Sequence, residues 1–233
     1  MGSTRLPGKV LKDLGGATML ERVVARVRRS SLGGTVVVAT SNASSDEAIV
    51  EECHRLQVEV YRGSELDVLD RYYKAATLFQ ADAVLRITAD CPFIDPSLID
   101  ELNCAFRDCQ PDYASNCMAR TYPRGLDAEL MTSRALSQAW QLAPLPYHRA
   151  HVTPYIYENP SRFSLLSVTG EEDSSSLRWT VDTAEDLELA RSLYRILDNR
   201  DDFGWRDILS VVEAQPHLTL MNQHVPQKLL IEG

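Results

Sequence analysis

Apolar residues recur at helical spacing over residues 19–29, with Leu20, Val23, Val24 and Val27 on one side. Next comes Thr35-Val-Val-Val-Ala-Thr40, entered through Gly33-Gly34, an apolar run that reads as a strand buried on both faces. The two patterns then alternate. Residues 46–56 predict a helix and 58–61 a strand; residues 67–79 predict a helix with Leu69, Tyr72, Tyr73 and Ala76 inward, and 83–88 a third strand. Asp95-Pro96 supplies an N-cap acid and a proline at the first helical position for a helix through 98–107. After residue 112 the rhythm changes. Tyr122 to Glu129 reads as a turn plus an extended segment, and residues 147–157 are rich in aromatic and polar side chains, which predicts an inserted lobe at about 112–166 for substrate or for a second subunit. Strand patterns return at 164–168 and 177–182, followed by helices over 184–197 and 205–213. Strands alternating with helices predict an α/β fold whose mainly parallel sheet is covered on both faces, with ligands beyond the C-terminal strand ends.

Composition narrows this further. A chain of 233 residues with 44% apolar content can bury one large core, so residues 1–233 are read as a single domain carrying that lobe. A formal charge of -9 and a pI near 5.1 argue against a broad nucleic-acid face. No apolar run approaches the roughly 20 residues of a spanning helix, and the polar start offers no signal-peptide core. No membrane partner and a cytoplasmic location are therefore expected. The five cysteines (Cys53, Cys91, Cys104, Cys109, Cys117) are odd in number and lack C-x-x-C spacing, so reduced thiols used in packing are expected rather than zinc or disulfides.

Candidate chemistry begins at the N-terminus, in Met1-Gly-Ser-Thr-Arg-Leu-Pro-Gly-Lys9. Gly2 and Gly8 permit a tight bend with inward N–H groups, while Arg5 supplies a planar fork of donors and Lys9 a point charge, together an anion cradle. The same composition also suits an ordinary loop. It is not a Walker loop, because five residues separate Gly2 from Gly8-Lys9 and Val10 stands where a metal-binding hydroxyl is needed. A nucleoside triphosphate brings roughly four negative charges, more than Arg5, Lys9 and a helix terminus neutralise, so a cation is implied. Asp90 and Asp182, both at the ends of expected strands, suit Mg²⁺. The structural alternatives are a turn acid before Pro92 for Asp90, and for Asp182 a place beside the capping box Thr183-x-x-Asp186. Cys91 has no histidine fixed beside it and reads as packing rather than as a nucleophile.

Six blocks, in order across nearly the whole chain, carry a family resemblance: Met1–Lys9, Tyr61-Arg-Gly-Ser-Glu-Leu-Asp-Val-Leu-Asp-Arg-Tyr72, Arg86-Ile-Thr-Ala-Asp-Cys-Pro92, Tyr122-Pro-Arg-Gly-Leu-Asp127, His151-Val-Thr-Pro-Tyr-Ile-Tyr157 and Arg178-Trp-Thr-Val-Asp-Thr183. The chain resembles the spore-coat polysaccharide biosynthesis branch of the CMP-sugar cytidylyltransferases, alongside the acylneuraminate and 3-deoxy-manno-octulosonate enzymes. The resemblance implies a three-layer α/β/α nucleotide-diphospho-sugar transferase fold and Mg²⁺-assisted transfer of CMP from CTP to a sugar acid with release of pyrophosphate; a homodimer is expected separately, from the inserted lobe and the prevalence of symmetric dimers. By the same resemblance Gly2, Ser3, Arg5 and Lys9 match the triphosphate loop, and Gly63, Ser64 and Arg71 a nucleotide-side segment. Asp90 and Asp182 match the metal carboxylates, while Tyr122, Arg124, Asp127 and Glu129 fall where the sugar is expected. Arg5, Lys9 and Asp90 form the expected catalytic set. Family members carry an apolar strand ending in Gln-Ala-Arg ahead of the loop, and this sequence starts within the loop, so that strand is expected to be absent. Two other functions remain open at this level. One is a glycosyltransferase of the same fold, disfavoured by the lack of any Asp-x-Asp; the other is an inactive, dimerising module.

Overall fold

Local signals place most element boundaries. The computed structural model describes residues 2–227. Lys9–Leu11 forms a 3-10 turn after Gly8, whose φ of 66° is left-handed. α1 (Met19–Val27) starts at Thr18, whose hydroxyl accepts the Glu21 N–H. β1 (Val37–Ser41), α2 (Glu47–Arg55) and β2 (Glu59–Gly63) form a β-α-β unit with parallel strands. α3 (Val68–Leu78), capped by Asp67, leads to β3 (Ala83–Arg86), and α4 (Pro96–Cys109) begins where Asp95 accepts from the Ser97 N–H at 2.7 Å. β4 (Tyr113–Ser115) and β5 (Glu129–Thr132) precede α5 (Ser133–Leu142), α6 (Pro146–His151), α7 (Pro154–Tyr157) and β6 (Leu165–Ser167). α8 (Ala184–Ile196), α9 (Trp205–Ala214) and α10 (His217–Leu220) close the described chain.

The strands form two sheets, β1-β2 and β3-β5-β4-β6. β1 and β2, joined through α2, are parallel, as the alternation implied, and β4 with β6 is parallel as well. The sheet is nevertheless mixed rather than mainly parallel, because β5 runs antiparallel to both β3 and β4. Its Glu129-Leu-Met-Thr132 is short and buried, and the hairpin-like return from β4 sets its direction. The segment 112–166 therefore supplies β4, β5 and β6 to the main sheet, and its helical stretch of α5, α6 and α7 packs against α3 and that sheet. A further correction concerns residues 177–182, expected as a strand. They run extended but pair only through an isolated bridge between Arg124 and Arg178.

Among the described residues no strand precedes α1, and no hydrogen-bonded edge joins the two sheets. α1 spans the seam instead. Leu20 and Val24 pack with Ile49, Cys53 and Val58 of the β1-β2 unit, whereas Val23 packs with Ile99, Ala114 and Leu130 of the larger sheet's layer. The polar face of α1 is buried as well: Arg26 donates to the Ile94 carbonyl at 2.7 Å and Arg22 pairs with Asp201 at 2.7 Å, which pins the helix to the segment entering α9. Two apolar clusters complete the core, one joining α8, α9 and Trp179 and one beneath α5 to α7.

Candidate functional site

Two distant stretches meet because of backbone pairing rather than sheet structure. Val181 N–H donates to the Asp90 carbonyl at 2.9 Å, and the Thr180 hydroxyl donates to the same oxygen at 3.2 Å. Asp182, just before α8, thus lies against Asp90, which follows β3 by four residues in a turn. The segment 177–182 is held from its other side by Arg124: its N–H donates to the Leu177 carbonyl, and its carbonyl accepts from Trp179 at 2.7 Å. Gly125 makes this approach possible. Its φ is 102°, and a Cβ there would lie 2.5 Å from the Thr180 nitrogen.

Onto this pair of carboxylates the N-terminal loop brings two cations. Lys9 Nζ donates to Asp90 Oδ2 and to Asp182 Oδ1, each at 2.7 Å. Arg5 pairs with Asp182 Oδ2 at 3.0 Å and also donates to the Pro226 carbonyl. Arg178 donates to that same Asp182 oxygen at 2.9 Å and grips the fully buried Asp186 through two nitrogens. Asn222 donates to Asp186 and to the Arg178 carbonyl, closing a network that fixes Asp182 in place. The capping box expected at Thr183 and Asp186 is present, and Asp186 serves it and Arg178 together.

Charge follows from these contacts. Burial pushes Lys9 down, but Asp90 and Asp182 outweigh it and hold the ammonium above its ordinary range. Burial raises Asp182, while Lys9, Arg5 and Arg178 more than offset this and keep it below the usual carboxylate range. Beside the group opens a cleft of ≈ 370 Å³, lined by Gly2, Ser3, Lys9, Thr40, Ser41 and Arg71 among others. Arg71 passes so close to Gly63 that a Cβ there would lie 2.7 Å from its Cγ, and its buried Nε has no hydrogen-bond partner among the described residues. Ser64 turns away to accept the Asp67 N–H at 3.2 Å ahead of α3.

The four residues expected near a sugar divide. Tyr122 is buried against Trp205, and Glu129 is buried under Arg86, the Tyr113 hydroxyl and Thr153, so both are committed to internal contacts. Asp127 is clamped by the Arg120 guanidinium through both oxygens. Arg124 is half-buried, and its guanidinium has no hydrogen bond or ion pair among the described residues; burial and the nearby Arg120 push it below its ordinary range. Sequence reasoning did not single out Arg178, Asn222, Thr40 or Ser41. Arg178 lay inside a quoted block, yet its spacing of four from Asp182 signals a pair only on a helix, and this stretch is extended.

Cys91 is buried, and burial followed by the neighbouring Asp90 pushes its thiol well up, which agrees with packing rather than nucleophilic use. Among the described residues no three His, Cys, Asp or Glu side chains gather to hold a metal. The donor set that does converge is two hard carboxylate oxygens on one cationic centre. That set fits Mg²⁺, an ion that takes one or two carboxylates and completes its shell with water and phosphate oxygens. No helix among the described residues is long and apolar enough to cross a membrane.

The fold and this cluster define a protein of the nucleotidyltransferase class. A solved cytidylyltransferase from Leptospira borgpetersenii superimposes with a TM-score of 0.91 at 34% identity, covering 97% of this chain and 95% of that one. The cytidylyltransferase family model matches residues 1–211, and the chain belongs to that family. Its relatives include an uncharacterized protein of Methanocaldococcus jannaschii, 38% identical over 229 residues, covering 97% of this chain and 93% of that protein. The spore coat polysaccharide biosynthesis protein SpsF of Bacillus subtilis is 33% identical over 223 residues, covering 93% of this chain and 92% of that one. A 3-deoxy-manno-octulosonate cytidylyltransferase of Chlorobium luteolum is 28% identical over 238 residues, covering 84% of this chain and 94% of the relative.

Proposed function

We propose that this cytidylyltransferase moves CMP from CTP to a sugar acid, releases pyrophosphate and uses Mg²⁺, in the synthesis of a surface polysaccharide or glycoconjugate. One observation carries the reading: Asp90 Oδ2 and Asp182 Oδ1 converge on a single cation position, at 2.7 Å each, beside a cleft lined by the glycine-bearing loop. CTP as donor is supported by family membership, and a sugar-acid acceptor by the name of the 3-deoxy-manno-octulosonate relative. The uncommitted guanidinium of Arg124 suits an acceptor carboxylate.

Asp90 and Asp182 would hold Mg²⁺, which supplies charge neutralisation at the phosphates when bound. Gly2, Ser3 and Arg71 line the space for the nucleotide, and Arg5 offers a fork of donors to the leaving pyrophosphate. The acceptor hydroxyl attacks the α-phosphorus in line with that leaving group, so the protein's contribution is alignment and fixed charge, with no covalent intermediate. A screen of pyrophosphate release over several sugar acids and four nucleotides tests this. CTP with one sugar acid should give turnover, and Asp90→Asn should lower it on the order of 100-fold or more. Release of a nucleoside mono- or diphosphate from a nucleotide sugar would indicate glycosyl transfer. Millimolar CTP that leaves the melting temperature unmoved would indicate a binding module.

A further inference from the structure

Lys9 occupies the position assigned above to the divalent ion. Its ammonium lies between Asp90 Oδ2 and Asp182 Oδ1, at 2.7 Å from each, and its side chain is only 14% exposed. Two cations cannot share that point. Lys9 also lines the cleft with Gly2, Ser3 and Arg71, so its four-carbon stem can carry the charge from the carboxylates to a polyphosphate in the cleft without a backbone shift. Asp182 does not need Lys9 to stay in place, because Arg5 and Arg178 hold its other oxygen and Arg178 is itself anchored on Asp186.

We propose that Lys9 is an exchangeable stand-in cation: it neutralises the paired carboxylates in the empty protein, and is transferred to the nucleotide's phosphates when the divalent ion takes its place. The inference rests on the metal reading of Asp90 and Asp182. Its consequence is thermodynamic coupling. A metal arriving alone must expel an ammonium that then has no counter-charge, whereas a metal arriving with a polyphosphate gives Lys9 a new anionic partner. Metal and nucleotide therefore raise each other's affinity by the same factor. The same exchange makes the carboxylate site a poor trap for free divalent ions. One lysine thus serves two anions in succession.

Binding of Mn²⁺, followed by its electron paramagnetic resonance with and without CTP, tests the exchange in the wild type, Lys9→Met and Asp90→Asn. Lys9→Met should bind Mn²⁺ alone about tenfold or more tightly than the wild type, and CTP should strengthen its metal binding far less. Lys9→Met binding Mn²⁺ no more tightly than the wild type, while Asp90→Asn abolishes binding in the CTP complex, would overturn the exchange and leave the metal reading standing. Asp90→Asn binding Mn²⁺ normally in that complex would overturn both. A second measurement avoids the variant altogether. The chain has four lysines, Lys9, Lys12, Lys74 and Lys228, so biosynthetic ¹³Cε-lysine labelling, which leaves each ammonium intact, gives a sparse spectrum in which each signal can be assigned. The Lys9 signal should move on joint addition of Mg²⁺ and CTP, and a signal that stays fixed at saturation overturns the proposal.

Discussion

At the scale of single residues, the loop cations and the two aspartates were legible as a group, but not their pairing. Glycine content, one arginine and one lysine say that an anion can be held; they do not say that Lys9 will bind protein carboxylates when no ligand is present. The ion pair of Arg178 with Asp186 was hidden for a different reason, since it depends on a chain path that only tertiary contacts determine. Arg178→Ala leaves the Asp186 carboxyl buried without its charge partner, and should cost about 3–5 kcal/mol in urea unfolding. The acid limb should move too. Burial raises Asp186, but its bonds to Arg178 and Asn222 keep its pKa low in the folded state. Its contribution is therefore present above the unfolded value near 3.9 and is lost as pH falls through the lower folded value. In Arg178→Ala the folded value rises toward the unfolded one, so this contribution is smaller and the less stable variant should unfold at a higher pH in acid titration. The thiols give an independent check. Cys53 is pushed up to about 11 and Cys117 to about 12, mainly by burial, and Cys91 is buried, whereas Cys104 and Cys109 are exposed. An aromatic disulfide reagent at pH 8 should react rapidly with two thiols in the native protein and with all five after denaturation. A third fast thiol would contradict the packing.

At the scale of elements, long periodic helices were readable because caps and apolar spacing agreed, as at Asp95 for α4 and Thr183 for α8. The three-residue β4 carries too few positions for a period of two to show, whereas the equally short β6 was anticipated within 164–168. α5 was passed over because its buried face, Ala135, Leu136 and Ala139, is mostly small residues that contrast little with their neighbours. The extended run 177–182 shows the limit of the alternation argument. Trp179 and Val181 are buried as a strand would require, yet its backbone bonds go to Arg124 and Asp90 rather than to a ladder. That path depends on Gly125. Gly125→Ala would bring a methyl within 2.5 Å of backbone at a left-handed φ, so residues 177–182 must move away and carry Asp182 with them. Nucleotide-dependent Mn²⁺ affinity should fall about tenfold or more, in proportion to the misplacement of that carboxylate. Unchanged affinity in a destabilised variant would show that Asp182 is positioned by the Arg178 network alone.

At the scale of the whole molecule, the α/β class and the placing of the site at loop ends followed from the alternation, while the division into two sheets did not. Periodicity describes one element at a time and is silent about which edges meet. A two-stranded sheet has little stability of its own, so the β1-β2 unit depends on what packs across the seam. Leu20 and Val24 of α1 supply that packing to Ile49, Cys53 and Val58, whereas Val23, one turn position away, faces the larger sheet. Leu20→Ala removes a side chain only 3% exposed, for an expected loss of about 2–5 kcal/mol that falls on one side of the seam. Hydrogen exchange should therefore accelerate in peptides from residues 36–63, which carry Thr40 and Ser41 of the cleft, and stay near wild-type rates in peptides spanning 113–132. If both regions accelerate equally, the sheets open as one cooperative unit and α1 is not the joint between them. If only the first responds, the wall of the cleft is the least stable part of the fold, and nucleotide binding should slow exchange there before it slows exchange in β4 or β5.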